Sequence, residues 1–188
     1  MTSELTLGQR LHKLLLLARI PASILMALAI LVFARPTLIS LLVGLLIVAL
    51  GEALRIWASG HIHKMAEVTQ TGPYALCRHP LYLGHFIIAL GFCAAAASWI
   101  AVAVVVPAFF VMYAPTWKNE ERYLTGQFGE VYQTYMQSTP ALIPHFNRAC
   151  LSGSFNWQLV TKHRELNHIA LLLAGLLILT GIGFYQGF

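Results

Sequence analysis

The chain has 188 residues, 58% of them hydrophobic and 10% charged, with a mean hydropathy of +0.70 and a formal net charge of +5. A soluble domain carries about 25% charged residues, so composition excludes an ordinary soluble protein and specifies an integral membrane one. The basic residues sit at the ends of apolar runs rather than in a stripe, which argues for contact with lipid headgroups and against nucleic acid.

In chain order, a first span is expected at Leu14 to Ala34, with Arg19 and Pro21 near its start. A second runs from Thr37 to Trp57, carrying Glu52 and Arg55 near its end. A polar loop from Ser59 to Pro80 leads into a third span, Leu81 to Ala97. Ser98 and Trp99 mark a tight turn into a fourth, Ile100 to Trp117, which Pro107 and Pro115 should bend. Beyond it, Leu124, Phe128, Val131, Tyr132 and Tyr135 recur at helical spacing, predicting an amphipathic surface helix with Asn119 as a candidate N-cap. Trp157 to Phe188 reads as one long helix whose second half, Ile169 to Tyr185, spans. Its start, Lys162-His163-Arg164-Glu165 with Asn167 and His168, reads as snorkelling and lipid-facing. Trp57, Trp99, Trp117 and Trp157 read as interfacial anchors.

The fold class is therefore all-α, a polytopic membrane protein of about five transmembrane helices plus a cytoplasmic amphipathic helix, in a single domain over residues 1–188. Arg10, Lys13, Arg55, Lys64, Arg78, Lys118, Arg122, Arg148, Lys162 and Arg164 fall on one side and Arg35 on the other. That bias puts the N-terminus inside, the C-terminus outside and the polar blocks toward the cytoplasm.

Two polar blocks stand out from the apolar background, and ionisable groups at a membrane usually serve function. The first is Thr71-Gly72-Pro73-Tyr74 followed by Arg78-His79-Pro80-Leu81-Tyr82-Leu83-Gly84. Pro80 suits the first turn of a helix, whose N–H groups receive anions; an Arg-His pair touching lipid phosphate explains the same residues. The second is Glu120-Glu121. Helix neighbours point about 100° apart, so one carboxylate can face a ligand while the other braces a partner such as Arg78. His61 and His63 form an H-x-H pair without further ligands nearby, so no metal site is read. Cys77, Cys93 and Cys150 lack CxxC spacing and predict neither a disulfide framework nor zinc.

Together with Leu124, Phe128-Gly129, Tyr132, Tyr135, Pro140 and Pro144, the two blocks form a set that resembles the isoprenylcysteine carboxyl methyltransferases and their phospholipid methyltransferase relatives. The likeness covers about residues 55–145, which it marks as the catalytic core; residues 150–188 lie outside it. It implies S-adenosylmethionine as cofactor, held at Lys64, Tyr74, His79, Pro80, Leu81, Tyr82, Gly84 and Glu120, with Lys64 to Thr69 completing the pocket. It implies catalytic positions at Arg78, His79 and Glu121, with His79 or Glu121 as base for a thiol or neutral amine. The implied partners are membrane lipids and a lipophilic methyl acceptor entering sideways from the bilayer. Trp117 and Lys118 are the acceptor candidates; with Thr116 they stand where the eukaryotic prenylcysteine enzymes place an Arg for the substrate carboxylate. A small membrane reductase of the sterol reductase type, and a non-enzymatic binding or transport protein, are the alternative readings.

Overall fold

In a computed structural model of the protein, residues 23–62, 67–163 and 165–187 are described. Lys64, His63, Arg164 and the first nine residues of the first expected span, 14–22, lie outside them. Seven α-helices and no strand occur among the described residues: α1 Ser23–Val32, α2 Leu38–Ser59, α3 Pro80–Ala95, α4 Trp99–Phe128, α5 Glu130–Ser138, α6 Trp157–Lys162 and α7 Glu165–Gln186. Three of them, α2, α4 and α7, are long and apolar enough to cross a membrane. The expected third span is a 16-residue helix, about 24 Å long at 1.5 Å per residue, short of the ~30 Å hydrocarbon core.

The second span begins where its capping chemistry dictates. Thr37 Oγ1 accepts the Ser40 N–H at 3.1 Å, and Ser40 Oγ accepts the Thr37 N–H at 2.8 Å. The Ser40 hydroxyl also donates to Ala95 O at 3.0 Å, tying the start of α2 to the end of α3. The two helices then pack backbone to backbone. A Cβ built on Gly51 would sit 2.9 Å from Gly84 O, and one on Gly91 would sit 2.7 Å from Val48. Gly44 and Gly51 on α2 and Gly84 and Gly91 on α3 recur seven apart, on one face of each helix, and small residues there permit the close approach.

The turn expected at Ser98 and Trp99 is present: Ala97 takes φ 51° and Ser98 caps α4 by accepting the Ala101 N–H. The next expectation fails. The helix does not stop at Trp117; α4 runs unbroken for 30 residues to Phe128 with Pro107 and Pro115 inside it. Nothing between Trp117 and Glu121 breaks a helix, and Asn119 lies in its interior rather than at a cap. The break comes at Gly129, in the left-handed region at φ 57°, which only glycine enters without strain. The helix that follows is the nine-residue α5.

The C-terminal helix is also two. It breaks at His163 between α6 and α7, although no Pro or Gly stands there. The break turns Glu165 inward, where it is 4% exposed; the lipid-facing reading of this run is thereby corrected. Its partner is Arg55, 110 residues earlier in the chain. Between α3 and α4 the packing is aromatic: Phe86, Phe109 and Tyr113 stack under Tyr82 and Trp117.

Candidate functional site

The site is built where the loop ending in Arg78-His79 meets the end of α4. Segment 76–79 pairs with segment 140–145 through the N–H groups of Arg78, His79 and His145, which donate to Pro140 O, Ala141 O and Leu76 O at 2.8, 3.0 and 2.9 Å. Arg78 then locks the corner. Its Nη1 donates to Met136 O and Thr139 O, each at 2.8 Å, and its Nε and Nη2 donate to Glu121 Oε1 at 3.0 and 2.8 Å. His79 Nε2 donates to the same oxygen at 2.9 Å. A carboxylate only accepts, so Nε2 carries the proton.

Burial holds the His79 imidazole below its ordinary value of 6.5, against the upward pull of the Glu121 hydrogen bond, so the ring is neutral at pH 7. The ring stacks on Trp117 at 6.1 Å between centroids. Trp117 is buried, not an interfacial anchor, and Lys118 beside it is exposed.

Glu120 behaves differently from its neighbour. It is exposed and makes no hydrogen bond or ion pair among the described residues. It looks into a cavity of about 160 Å³ that is also lined by Tyr74, Arg78, His79, Leu124, Tyr132 and Tyr135. Tyr135 Oη donates to the Tyr74 backbone carbonyl at 2.6 Å, which ties α5 to the turn that carries Tyr74. The Tyr74 hydroxyl itself is buried without a partner among the described residues, and burial pushes its pKa well up. Burial likewise pushes Tyr132 up to about 12 and the Cys77 thiol up to about 11, so both stay protonated and Cys77 is not a nucleophile at neutral pH.

Of the residues singled out from sequence, Tyr74, Arg78, His79 and Glu120 line this cavity, with Glu121 behind them. Leu81 and Tyr82 instead line a second, polar chamber of about 340 Å³ with Arg55, Ser59, His85, Glu120 and Glu165. Ile62 and Glu120 line both spaces, which makes them neighbours. Pro80 is fully buried at the first turn of α3, and Gly84 packs against α2.

Sequence reasoning missed the ion cluster beside the second chamber. Arg55 Nη2 donates to Glu165 Oε2 at 2.6 Å, and Ser59 Oγ donates to Glu165 Oε1 at 2.8 Å. Arg55 Nε faces Glu52 Oε2 at 3.3 Å, and His168 Nδ1 lies 2.9 Å from that same oxygen. Arg55 Nη1 lies 2.7–2.8 Å from both ring nitrogens of His85. The available signal was the spacing: Glu52 and Arg55 on α2, and Glu165 and His168 on α7, each stand three apart and so share a helix face. Glu52, Glu165 and His168 bring ligand atoms within 4.8 Å of one another, yet the guanidinium among them already supplies the positive charge those carboxylates require.

Fold and site together define an integral membrane protein of packed helices, with polar cavities where the spanning helices α2 and α4 end. The phospholipid methyltransferase family matches residues 25–131, more than half of the chain, and the protein belongs to that family. It is 35% identical over 109 residues to the nickel-cobalt-cadmium resistance protein NccN of Alcaligenes xylosoxydans xylosoxydans, covering 57% of this chain and 51% of that one. It is 36% identical over 114 residues to the cobalt-zinc-cadmium resistance protein CzcN of Cupriavidus metallidurans, covering 60% of this chain and 51% of the relative. It is also 35% identical over 119 residues to protein-S-isoprenylcysteine O-methyltransferase B of Arabidopsis thaliana, covering 55% and 59%. The chain spans about half the length of the curated relatives it matches. No solved structure matches it significantly.

Proposed function

We propose that the protein is an S-adenosylmethionine-dependent methyltransferase acting on a lipophilic acceptor held within the membrane. The observation that carries this reading is the contrast between the two adjacent carboxylates. Glu121 is consumed by Arg78 and His79, while Glu120 stands free at a cavity that also contains an unsatisfied tyrosine hydroxyl. Family membership and the isoprenylcysteine O-methyltransferase relative support the same chemistry.

The residues fit the cofactor. Glu120 offers an acceptor for its ammonium or ribose hydroxyls, the buried Tyr74 hydroxyl offers a donor, and the Tyr132 ring offers a face for a cation. Bound S-adenosylmethionine supplies an activated methyl group. Arg78 does not reach for the cofactor carboxylate; its guanidinium is committed to Glu121 and two carbonyls, so its part is to hold His79 and the end of α4 in place. With the reacting groups positioned, alignment supplies much of the rate.

The test is saturable S-adenosylmethionine binding by the purified protein in detergent. Glu120→Gln and Tyr74→Phe should each weaken binding by about tenfold, the equivalent of one ordinary hydrogen bond to a charged or buried group. Binding indifferent to both changes removes the site from this cavity.

A further inference from the structure

The connection between α5 and α6, residues 139–156, is ordered by its own bonds. Asn147 Oδ1 accepts the Ala149 N–H at 3.1 Å, Ser152 Oγ donates to Ala149 O at 2.7 Å, and Asn156 Oδ1 accepts the Gln158 N–H at 2.8 Å. Cys150 is buried, yet Ile143, Phe146, Leu151 and Trp157, the last opening α6, are 66–84% exposed. Four large apolar side chains held outward by an ordered segment form a surface that needs a partner.

The place of the connection in the fold decides what that partner is. Pro140 O and Ala141 O accept from Arg78 and His79, Ser152 O accepts from Gly72, and the Asn156 N–H donates to Gly60 O. Gly60 caps the end of α2 and His79 caps the start of α3. Ser59, at the end of α2, donates to Glu165 at the start of α7. Two helices long and apolar enough to cross a membrane, α2 and α7, therefore have their ends at the level of the connection. A spanning helix ends where hydrocarbon gives way to headgroups. Exposed aromatic and aliphatic side chains at that depth lie in the interface.

The sign of the charge narrows the lipid. Between Glu130 and Glu165 the sequence holds three bases, Arg148, Lys162 and Arg164, and no acid. Arg148 is exposed and has no ion pair among the described residues, and Glu165 is engaged by Arg55. The loop bonded to the connection, residues 60–79, adds Lys64 against Glu67, with Arg78 already paired to Glu121. Lys64 and Arg164, outside the described residues, are both bases, so their sign adds to the positive excess and does not offset it.

We propose that the α5–α6 connection lies on the bilayer surface and binds anionic lipid. Ile143, Phe146, Leu151 and Trp157 enter the headgroup region, and Arg148 meets lipid phosphate. A base at the surface of an anionic membrane is worth about fivefold in affinity. This contact is independent of the methyl-transfer chemistry.

The test uses the full chain in lipid nanodiscs, with a single cysteine introduced as Ile143→Cys, Phe146→Cys or Leu151→Cys and labelled with a fluorophore. Cys77, Cys93 and Cys150 are buried, and the parent protein sets the labelling background. The discs contain either phosphatidylglycerol or phosphatidylcholine bearing a nitroxide high on its acyl chain; iodide is the quencher from water. All three labels should be quenched by the lipid nitroxide and shielded from iodide relative to the free fluorophore. Phosphatidylglycerol should quench more strongly than phosphatidylcholine. Arg148→Gln in the Leu151→Cys protein should cut that preference by about fivefold, raised salt should cut it too, and Arg148→Lys should keep it. Iodide access equal to that of the free fluorophore, without lipid quenching, overturns the proposal. Shielding from both quenchers means that protein covers the surface, a second copy of the chain included, and overturns it as well. Equal quenching by the two lipids, unmoved by Arg148→Gln, overturns the assignment to anionic lipid.

Discussion

Glu120 and Glu121 are adjacent, on one helix, and their surroundings separate their roles. One oxygen of Glu121 accepts from Arg78 twice and from His79 once. Replacing Glu121 with Ala leaves a largely buried guanidinium without its carboxylate, and breaking such a pair costs about 3–5 kcal/mol. Thermal unfolding in detergent should show that loss, whereas Glu120→Ala should stay within about 0.5 kcal/mol of the parent, as exposed substitutions do. His79 gives the site a pH dependence of known sign. Its pKa is depressed on folding by burial, so the stability it contributes is complete above its ordinary 6.5 and is lost as pH falls through the lower folded value. His79→Gln should flatten the acid side of the stability profile below about pH 6.5; an unchanged profile would mean the ring titrates normally. The pair was legible in the sequence because a helix separates neighbours by about 100°. Helix geometry alone did not say which of the two faces the cavity, since that depends on where Arg78 is carried by the pairing of segments 76–79 and 140–145; only the family resemblance singled out Glu120 for the cofactor.

At the scale of elements, α2 and α3 are joined by their glycines. Gly51→Val would place carbon within 2.9 Å of Gly84 O and of Ile88 N. Backbone cannot retreat as a side-chain tip does, so an overpacking cost of about 1–3 kcal/mol is expected, read as a lower unfolding temperature together with loss of the Arg55–His85 contact. Hydropathy located the second and fourth spans well, because length and apolarity alone define them. It did not reveal that α4 continues to Phe128, because a membrane edge is a change of solvent and not a helix stop; only Gly129 is a stop. It did not reveal the break at His163 either. No local breaker is present there, and the direction of Glu165 is set by a residue on another helix.

At the scale of the whole molecule, the C-terminal third completes what the family-matching region begins. Residues 25–131 match the family, yet Glu165 and His168 lie beyond them and supply two members of the ion cluster. Gly72 N–H donates to Ser152 O at 3.1 Å and Asn156 N–H donates to Gly60 O at 2.9 Å, so the C-terminal segment also covers the loop that leads to Tyr74. Phe155 seats over Gly60 against the His61 ring. A double-mutant cycle tests the cluster as a unit: Glu165→Leu alone should cost about 3–5 kcal/mol, and adding Arg55→Met should recover part of it. Additive losses would mean that the two residues stabilise the fold independently.

The Arg55–Glu165 bond also has a consequence in time. The carboxylate follows the guanidinium by 110 residues, which at about 5–20 residues per second is roughly 6–22 s of synthesis. Within that interval α2 and α3 are completed while Arg55 has Glu52 as its nearer carboxylate. The part of the polar chamber's wall that Glu165 supplies is made only when α7 is synthesised, after α2 and α3. A chain interrupted anywhere before α7 therefore leaves Arg55 without Glu165, and the chamber without that part of its wall.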